Sequence, residues 1–294
     1  MHVTRRLAAL SALSFTRSAL AQNLTTDQLN TVKQRLAESA LESWELGTRA
    51  QVLTALDTPS YSVLSTDVDL PPPTSQPPSS LDEVFDIAKM VVGNRSVSNR
   101  GATGPQPLIS NSAAGDPPSV GVAILLANWT GRSGPDGVDY AGAAQDQLNF
   151  LFDDVPHTVD GAISHRIEQL QLWSDFVFMV PPFFAYYGVV TNNQSLVAQS
   201  YEQIRLYRQY LRDDGAGGLW KHMALGNSTD SGHWSTGTCT LLGAVAKWGS
   251  RTPAPSFYSH LQEMHGPPQA CAACLAPSHA PNSPRACRMN RMIS

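Results

Sequence analysis

A single carboxylate, Asp175, lies within an apolar and aromatic run of the chain. Trp173 precedes it, residues 176–179 are all apolar, and two prolines and two phenylalanines follow at positions 181–184. Burial in such a run disfavours the charged carboxylate and raises its pKa, as a proton donor near neutral or mildly acidic pH requires. The pattern also fits an ordinary helix N-cap, because aspartate is common at helix starts. The residues alone leave both roles open.

The elements that must position this carboxylate are predicted to be helices separated by polar loops. Capping-box spacing starts helices at Thr25 and Ser80, and prolines in a first turn start another after Asp116. Apolar residues at helical intervals extend these helices and indicate others. The predicted helices span roughly residues 26–44, 48–56, 81–91, 120–129, 140–152, 175–187 and 194–211.

Consecutive antiparallel helical hairpins are the architecture that this pattern favours. No segment shows sustained period-two alternation, so no strand is predicted. No fixed repeat period is visible, which disfavours a regular solenoid. The expected fold class is therefore all-α.

Composition and charge exclude some partner classes. The net charge is −4 and 15% of the residues are charged, with the basic ones scattered along the chain. Neither nucleic acid nor an anionic membrane is therefore expected as a partner. The oligomeric state is not indicated by the sequence.

The N-terminus predicts secretion. Arg5 and Arg6 precede a short apolar segment at residues 7–15 and a small-residue cleavage site at residues 19–21, so residues 1–21 have the form of a signal peptide. Five Asn-x-Ser/Thr sites follow, and they fit a glycosylated extracellular protein. These sites begin at Asn23, Asn94, Asn128, Asn193 and Asn227.

The C-terminal part differs in composition from the rest. Residues 250–294 contain seven prolines, three of the four cysteines and one acidic residue, Glu263. This composition is typical of a disordered or mistranslated tail. The pair Cys271 and Cys274 is a lone CxxC without a second pair, so no metal is predicted. No cofactor is predicted either, since no Gly-rich loop joins a strand to a helix.

Three segments carry a resemblance to a known family. They are DPPSVGVAILLANWTG at residues 116–131, the stretch at 165–193, and GLWKH at 218–222 followed by GHWSTG at 232–237. The most specific part is Trp-x-Asp-x-x-Phe-Met at residues 173–179. Together the segments resemble the unsaturated glucuronyl and rhamnogalacturonyl hydrolases of glycoside hydrolase families 88 and 105, most closely the secreted fungal branch of six-hairpin glycosidases.

The resemblance implies a fold and a reaction. The fold would be an (α/α)6 barrel of helical hairpins covering residues 22–248, incomplete at its C-terminal end. The substrate would be an oligosaccharide, from pectin or a related polymer, whose unsaturated uronyl residue has a C4=C5 bond. Hydration of that bond would release the sugar, with Asp175 as general acid and base.

The resemblance also implies roles for other residues. Asp116 matches an earlier family aspartate that would stabilise positive charge on the ring, although it could equally be the N-cap before Pro117. The other matches are substrate-binding residues, each of which could instead be ordinary core or surface. These are His165, Trp173, His222 and Trp234.

The family pattern is lost close to Gly237. The family has Gly-Asn-Gly-Trp after the second tryptophan motif, often with an arginine where Thr236 stands, whereas this chain continues Gly237-Thr238-Cys239-Thr240. Helical periodicity and acidic residues fade near the same point. These coincident changes suggest the hypothesis of an altered reading frame or exon boundary, with the chain a truncated form of a longer protein and residues 249–294 a foreign tail.

Two other functions remain open on this sequence. A truncated barrel could be a non-catalytic or inactive protein that binds glycan through the same fold, since open grooves loosen catalytic geometry. An inverting glycosidase could use Asp116 and Asp175 as acid and base on saturated substrates. Assays on unsaturated and saturated oligosaccharides discriminate among the three functions.

Overall fold

The computed structural model describes residues 24–62, 72 and 77–233. The predicted signal peptide, the site residue Trp234, the CxxC pair and the tail lie outside the described residues. The described helices are α1 (Thr26–Ser39), α2 (Ser43–Asp57), α3 (Asp82–Ser98), α4 (Gly121–Trp129), α5 (Ser133–Asp136), α6 (Tyr140–Asp153), α7 (Phe176–Val190) and α8 (Gln194–Leu211). The described strands are β1 (Leu172–Trp173), β2 (Arg212–Asp213), β3 (Leu219–Ala224) and β4 (Asp230–His233).

Helix α1 begins with the predicted capping box. The Thr25 backbone N–H donates to Gln28 Oε1 at 2.8 Å, and the Gln28 N–H donates to Thr25 Oγ1 at 3.2 Å. These reciprocal bonds satisfy donors that the first helical turn leaves unpaired. The helix ends at Ser39 rather than continuing to Trp44, and the boundary between two compact units of the chain falls at the same point, after Glu38.

One predicted helix start and one predicted helix cap are wrong. Helix α2 begins at Ser43, five residues before Thr48, because Glu42 and Glu45 form a capping box that the sequence analysis missed. Ser80 does not cap α3; it lies in a 3-10 turn at Ser79–Leu81, and its hydroxyl is 2.8 Å from that of Thr58. The Ser80 side chain therefore bonds to a residue distant in sequence, instead of capping the helix as the local spacing predicts.

Helices α7 and α8 form a hairpin, and the aromatic run after Asp175 lies in α7. The Phe176 ring at the start of α7 stacks on Tyr207 of α8, with centroids 4.4 Å apart. Prolines 181 and 182 remove two backbone donors from α7, yet the helix continues to Val190. The Ser200 hydroxyl of α8 donates to the Pro181 carbonyl at 2.7 Å. This buried hydrogen bond ties the two helices together at the prolines.

Helix α4 approaches α7 closely enough to require glycine. A Cβ at Gly121 would lie 2.3 Å from the Phe183 ring, whose side chain is fully buried. The core around this contact consists of apolar side chains from several helices, including Leu53, Phe85, Ile124, Phe184 and Tyr186. The observed architecture agrees with the expected all-α class of packed helical hairpins.

A small antiparallel sheet corrects the prediction of no strand. Strand β3 pairs with β1, β2 and β4, and its longest run is the six residues Leu219–Ala224. Strands of two to six residues are too short to show sustained alternation, and Lys221 and His222 interrupt the apolar signal of β3. The sheet brings the start of α7 against β3.

No helix in the described part of the chain is long and apolar enough to cross a membrane.

Candidate active site

Asp175 occupies the N-cap position of α7 without acting as a cap. Its side chain makes no hydrogen bond to the first turn of the helix. Its Oδ2 instead lies 3.2 Å from Nε2 of His222, and 26% of the side chain is exposed. The backbone N–H of the preceding Ser174 donates to the His222 carbonyl at 2.8 Å, which fixes the helix start against β3. The geometry thus favours a chemical role for this carboxylate over a capping role.

The second ring nitrogen of His222 meets another carboxylate. Nδ1 lies 2.9 Å from Oδ2 of Asp230, the first residue of β4. The other Asp230 oxygen accepts the Gly232 backbone N–H at 2.8 Å, which holds the carboxylate in place. The buried imidazole of His222 therefore bridges Asp175 and Asp230.

The charge state of Asp175 differs from the sequence-based expectation. Burial alone raises the pKa of Asp175, as expected. The hydrogen bond from His222, its positive charge and that of His165 together lower the pKa by more, so the net pKa is below the ordinary value. The expected net rise in the pKa of Asp175 is therefore wrong for the free protein. The fold places His222 and His165, as well as aromatic rings, next to this carboxylate.

The pKa of His222 is shifted in the opposite direction from that of Asp175. Burial lowers the pKa of His222, but hydrogen bonds to Asp175 and Asp230, together with their negative charges, raise it above the ordinary histidine value. The imidazolium form therefore persists to higher pH than for an exposed histidine. In the free protein the two opposite shifts favour the ion pair of His222 and Asp175 over the neutral pair.

Asp116 and His165 form a second acid–histidine pair. Asp116 precedes the 3-10 turn Pro117–Val120 but makes no side-chain cap bond. Its Oδ1 lies 3.3 Å from Nε2 of His165, and its Oδ2 accepts a long hydrogen bond of 3.5 Å from Asn111. His165 is buried, and its carbonyl accepts the backbone N–H groups of Ala114 and Gly115. The loop before α4 is thereby fixed to the loop before β1.

Trp173 connects the two histidines. Its ring stacks on His165, with centroids 4.8 Å apart and planes 14° apart, and it meets His222 edge-on at 5.3 Å. The indole N–H donates to Gln171 Oε1 at 2.8 Å. One face of the ring is covered by His165, so that face is not available for stacking on a sugar.

Five of the six predicted site residues meet in one contiguous set. Asp116, His165, Trp173, His222 and Asp175 follow one another through the contacts above, and Trp234 lies outside the described residues. Sequence reasoning missed Asp230, although the five residues 225–229 between β3 and β4 contain Gly226 and Asn227, the residue types of a hairpin turn. It also missed Gln171 and Arg166, whose guanidinium carbon lies 5.8 Å from the centre of the Trp173 ring.

The set can hold a proton, move it and stabilise positive charge. His222 Nε2 lies within 3.2 Å of Asp175, close enough for proton transfer, and Asp116 and Asp230 supply further carboxylates. Such groups suit general acid–base chemistry and the stabilisation of a cationic transition state. Among the described residues no group of three or more metal-ligating side chains could hold a metal ion.

Comparisons with known proteins find a family model and solved structures that match this chain. Residues 124–242 match the model of Glycosyl Hydrolase Family 88. A solved structure, a possible member of the GH105 family from Salmonella enterica subsp. enterica serovar Paratyphi A, is 14% identical with a TM-score of 0.54. Another possible GH105 member, from Klebsiella pneumoniae subsp. pneumoniae, has the same identity and TM-score. A comparison with curated proteins finds no match.

The matches differ in extent. The Salmonella structure covers 82% of this chain, and the chain spans 64% of its length; for the Klebsiella structure the shares are 87% and 69%. At this identity the structural likeness shows the fold alone. The family match spans the segment that contains Trp173, Asp175 and His222. Over residues 124–242 the chain is therefore similar to Glycosyl Hydrolase Family 88, and it shares its fold with the two possible GH105 members.

Proposed function

We propose that the protein is a carbohydrate hydrolase that hydrates the C4=C5 bond of unsaturated uronyl residues on pectin-type oligosaccharides. The observation that supports this function best is the contact between Asp175 and His222 within the segment that matches family 88. A carboxylate that lies beside a buried histidine can both give and take a proton. Hydration of a double bond needs both abilities in turn.

The proton reaches the substrate in two moves. Transfer from His222 Nε2 to Asp175 across 3.2 Å converts an ion pair into a neutral acid and a neutral imidazole. A bound substrate that excludes water favours the neutral pair, because desolvation penalises charged groups more than neutral ones. Asp175 then donates this proton to C4, and the electrons of the double bond form the new C–H bond.

Water completes the reaction. Positive charge develops at C5 and the ring oxygen as C4 is protonated, and the carboxylate of Asp116, which His165 orients, stabilises that charge. Water adds to C5 and gives its proton to the Asp175 carboxylate, which regenerates the acid. The resulting hemiketal opens and releases the linked sugar.

An absorbance assay tests the proposal. The parent chain should remove the ultraviolet absorbance of unsaturated uronyl oligosaccharides, and Asp175→Asn should reduce the rate by about 10²- to 10⁴-fold, the usual contribution of general acid–base catalysis. Asp213→Asn is the matched control, because Asp213 pairs with His233 elsewhere on the same sheet. Full turnover by Asp175→Asn would overturn the role of Asp175.

Two other results would replace the proposed reaction. Release of reducing sugar from saturated oligosaccharides, without loss of absorbance from unsaturated ones, would indicate an inverting glycosidase that uses Asp116 and Asp175. Saturable binding of unsaturated uronides without turnover would indicate a glycan-binding protein of the same fold.

We also propose that the protein is secreted and glycosylated. The signal-like residues 1–21 support this, and the four acceptor asparagines in the described part of the chain are all exposed. They are Asn94, Asn128, Asn193 and Asn227. Expression in a eukaryotic secretory host should give medium-borne protein whose mass falls on enzymatic removal of N-glycans, whereas retention in the cytosol would contradict the proposal.

A further inference from the structure

Asp230 contacts the candidate active site, but no step of the proposed reaction uses it. It touches His222 on the ring nitrogen opposite the one that faces Asp175, with Nδ1 to Oδ2 at 2.9 Å. The two contacts lie at opposite sides of the imidazole, so Asp230 acts on Asp175 only through the ring. The order Asp230–His222–Asp175 is that of an acid that orients a histidine, which in turn serves a reacting group.

Asp230 is itself held in a fixed position. Its Oδ1 accepts the Gly232 N–H at 2.8 Å, and its backbone lies in β4 opposite Met223 of β3. The pairing of β3 with β4 shifts register between Lys221 and Met223, which flank His222. This irregularity lies next to the side chain that Asp230 contacts, as expected where a strand re-aims a functional group.

We propose that Asp230 is a positioning residue that fixes the ring orientation of His222 by accepting its Nδ1–H, so that Nε2 faces Asp175. Its carboxylate accepts the Nδ1–H, which leaves the Nε2–H directed at Asp175 Oδ2. Asp230 thereby sets the pH range over which the site holds a proton to deliver. This role rests on the proposed function only for its catalytic consequence.

The charges around His222 determine the direction of the effect. Asp175 faces it from the start of α7, Asp230 from β4, and the Trp173 ring from β1 is uncharged. His165 acts on Asp175 from the loop before β1, where Asp116 holds it. The Asp230 charge and hydrogen bond each raise the pKa of His222. Removal of that charge should therefore release the proton from His222 at lower pH.

A histidine titration tests this inference independently of turnover. The full chain has eight histidines, so ¹³C,¹⁵N-histidine NMR can follow them together, and the variant His222→Gln identifies the His222 signal by its loss. In Asp230→Asn the amide oxygen can still accept the Nδ1–H, so orientation survives while the charge is lost. The titration midpoint of His222 should shift to lower pH in this variant.

Matched variants separate the charge from a general disturbance of the sheet. Asp213→Asn removes the carboxylate that lies 3.0 Å from Nε2 of His233 on the same sheet, and should leave the His222 midpoint unchanged. Asp230→Ala should shift the midpoint and also weaken the Nδ1–H tautomer of the neutral ring in the ¹⁵N spectrum, because the acceptor of the Nδ1–H is lost. An unchanged His222 midpoint in Asp230→Asn would overturn the inference.

The pH profile links the titration to catalysis. The alkaline limb of kcat/KM reports the essential acid of the free enzyme, so Asp230→Asn should move that limb to lower pH by the same amount as the NMR midpoint. A shifted midpoint in a chain without hydrating activity would contradict the proposed function but not the positioning role. Normal activity with an unshifted midpoint and limb would contradict the positioning role alone.

Discussion

At the scale of single residues, the charge on Asp175 depends on partners that are distant in sequence. The local run of apolar residues correctly predicts partial burial, and burial alone would raise the pKa of the carboxyl group. The opposing effect comes from His222, which is 47 positions further along the chain (222 − 175). Because neither composition nor spacing shows that this histidine meets Asp175, the sign of the net shift could not be predicted.

The Asp116 pair also belongs to this scale. Asp116→Asn keeps the size of the side chain and removes the charge proposed to face the cationic transition state. We expect kcat to fall by about a hundred-fold with little change in KM, because the stabilised charge exists only in the transition state. Steady-state kinetics on unsaturated uronides measure both constants.

The control for Asp116→Asn is a measurement that the substitution leaves the fold unchanged. Near-ultraviolet circular dichroism should show the same aromatic environment in parent and variant, since Trp173 contacts His165 rather than Asp116 itself. A variant with normal spectra and unchanged kcat would exclude Asp116 from catalysis. The role of Asp116 would then be structural, through its contact with His165.

At the scale of elements, sequence patterns predicted long helices better than their connections. The range 194–211 predicted for α8 coincides with the observed helix, because Tyr201, Ile204, Tyr207 and Leu211 repeat at helical spacing and are buried. The start of α2 and the sheet were missed because a glutamate capping box and two-residue strands leave weak local signals. The sheet positions His222 and Asp230, and because it was not predicted, the contact between these two residues was missed.

The α4–α7 contact offers a test of element packing. Gly121→Ala would place a methyl group 2.3 Å from the buried Phe183 ring. Overpacking of this kind destabilises by about 1 to 3 kcal/mol, which exceeds the gain in helix propensity from glycine to alanine of about 1 kcal/mol. We therefore expect a net loss of stability in urea denaturation.

Gly93→Ala is the matched control for this substitution. Gly93 lies inside α3, and a Cβ there would meet nothing within 4 Å. The same change should therefore stabilise the protein by up to about 1 kcal/mol through helix propensity alone. Equal effects of the two substitutions would contradict the close approach of α4 to α7.

At the scale of the whole molecule, the linked charges of the site should appear in the pH dependence of folding. The pKa of His222 is raised above its ordinary value of 6.5, so its contribution to stability is fully present below that pH and is lost as pH rises through the folded-state pKa. The pKa values of Asp175 and Asp230 are lowered from 3.8, so their contributions are present above that pH and lost as pH falls.

The free energy of unfolding should therefore decline on both sides of the range from 3.8 to 6.5 as far as this set is concerned. His157 acts in the opposite sense, because burial lowers its pKa and so favours its neutral form in the folded protein.

The contribution of His222 is isolated by the difference in the free energy of unfolding between the parent and His222→Gln. Urea denaturation at a series of pH values measures this difference. That difference should shrink as pH rises above 6.5, because the parent loses the charged His222 that the variant never had. A difference that stays constant or grows with pH would show that His222 carries no additional proton in the folded state, and both the proton relay and the role of Asp230 would then fail together.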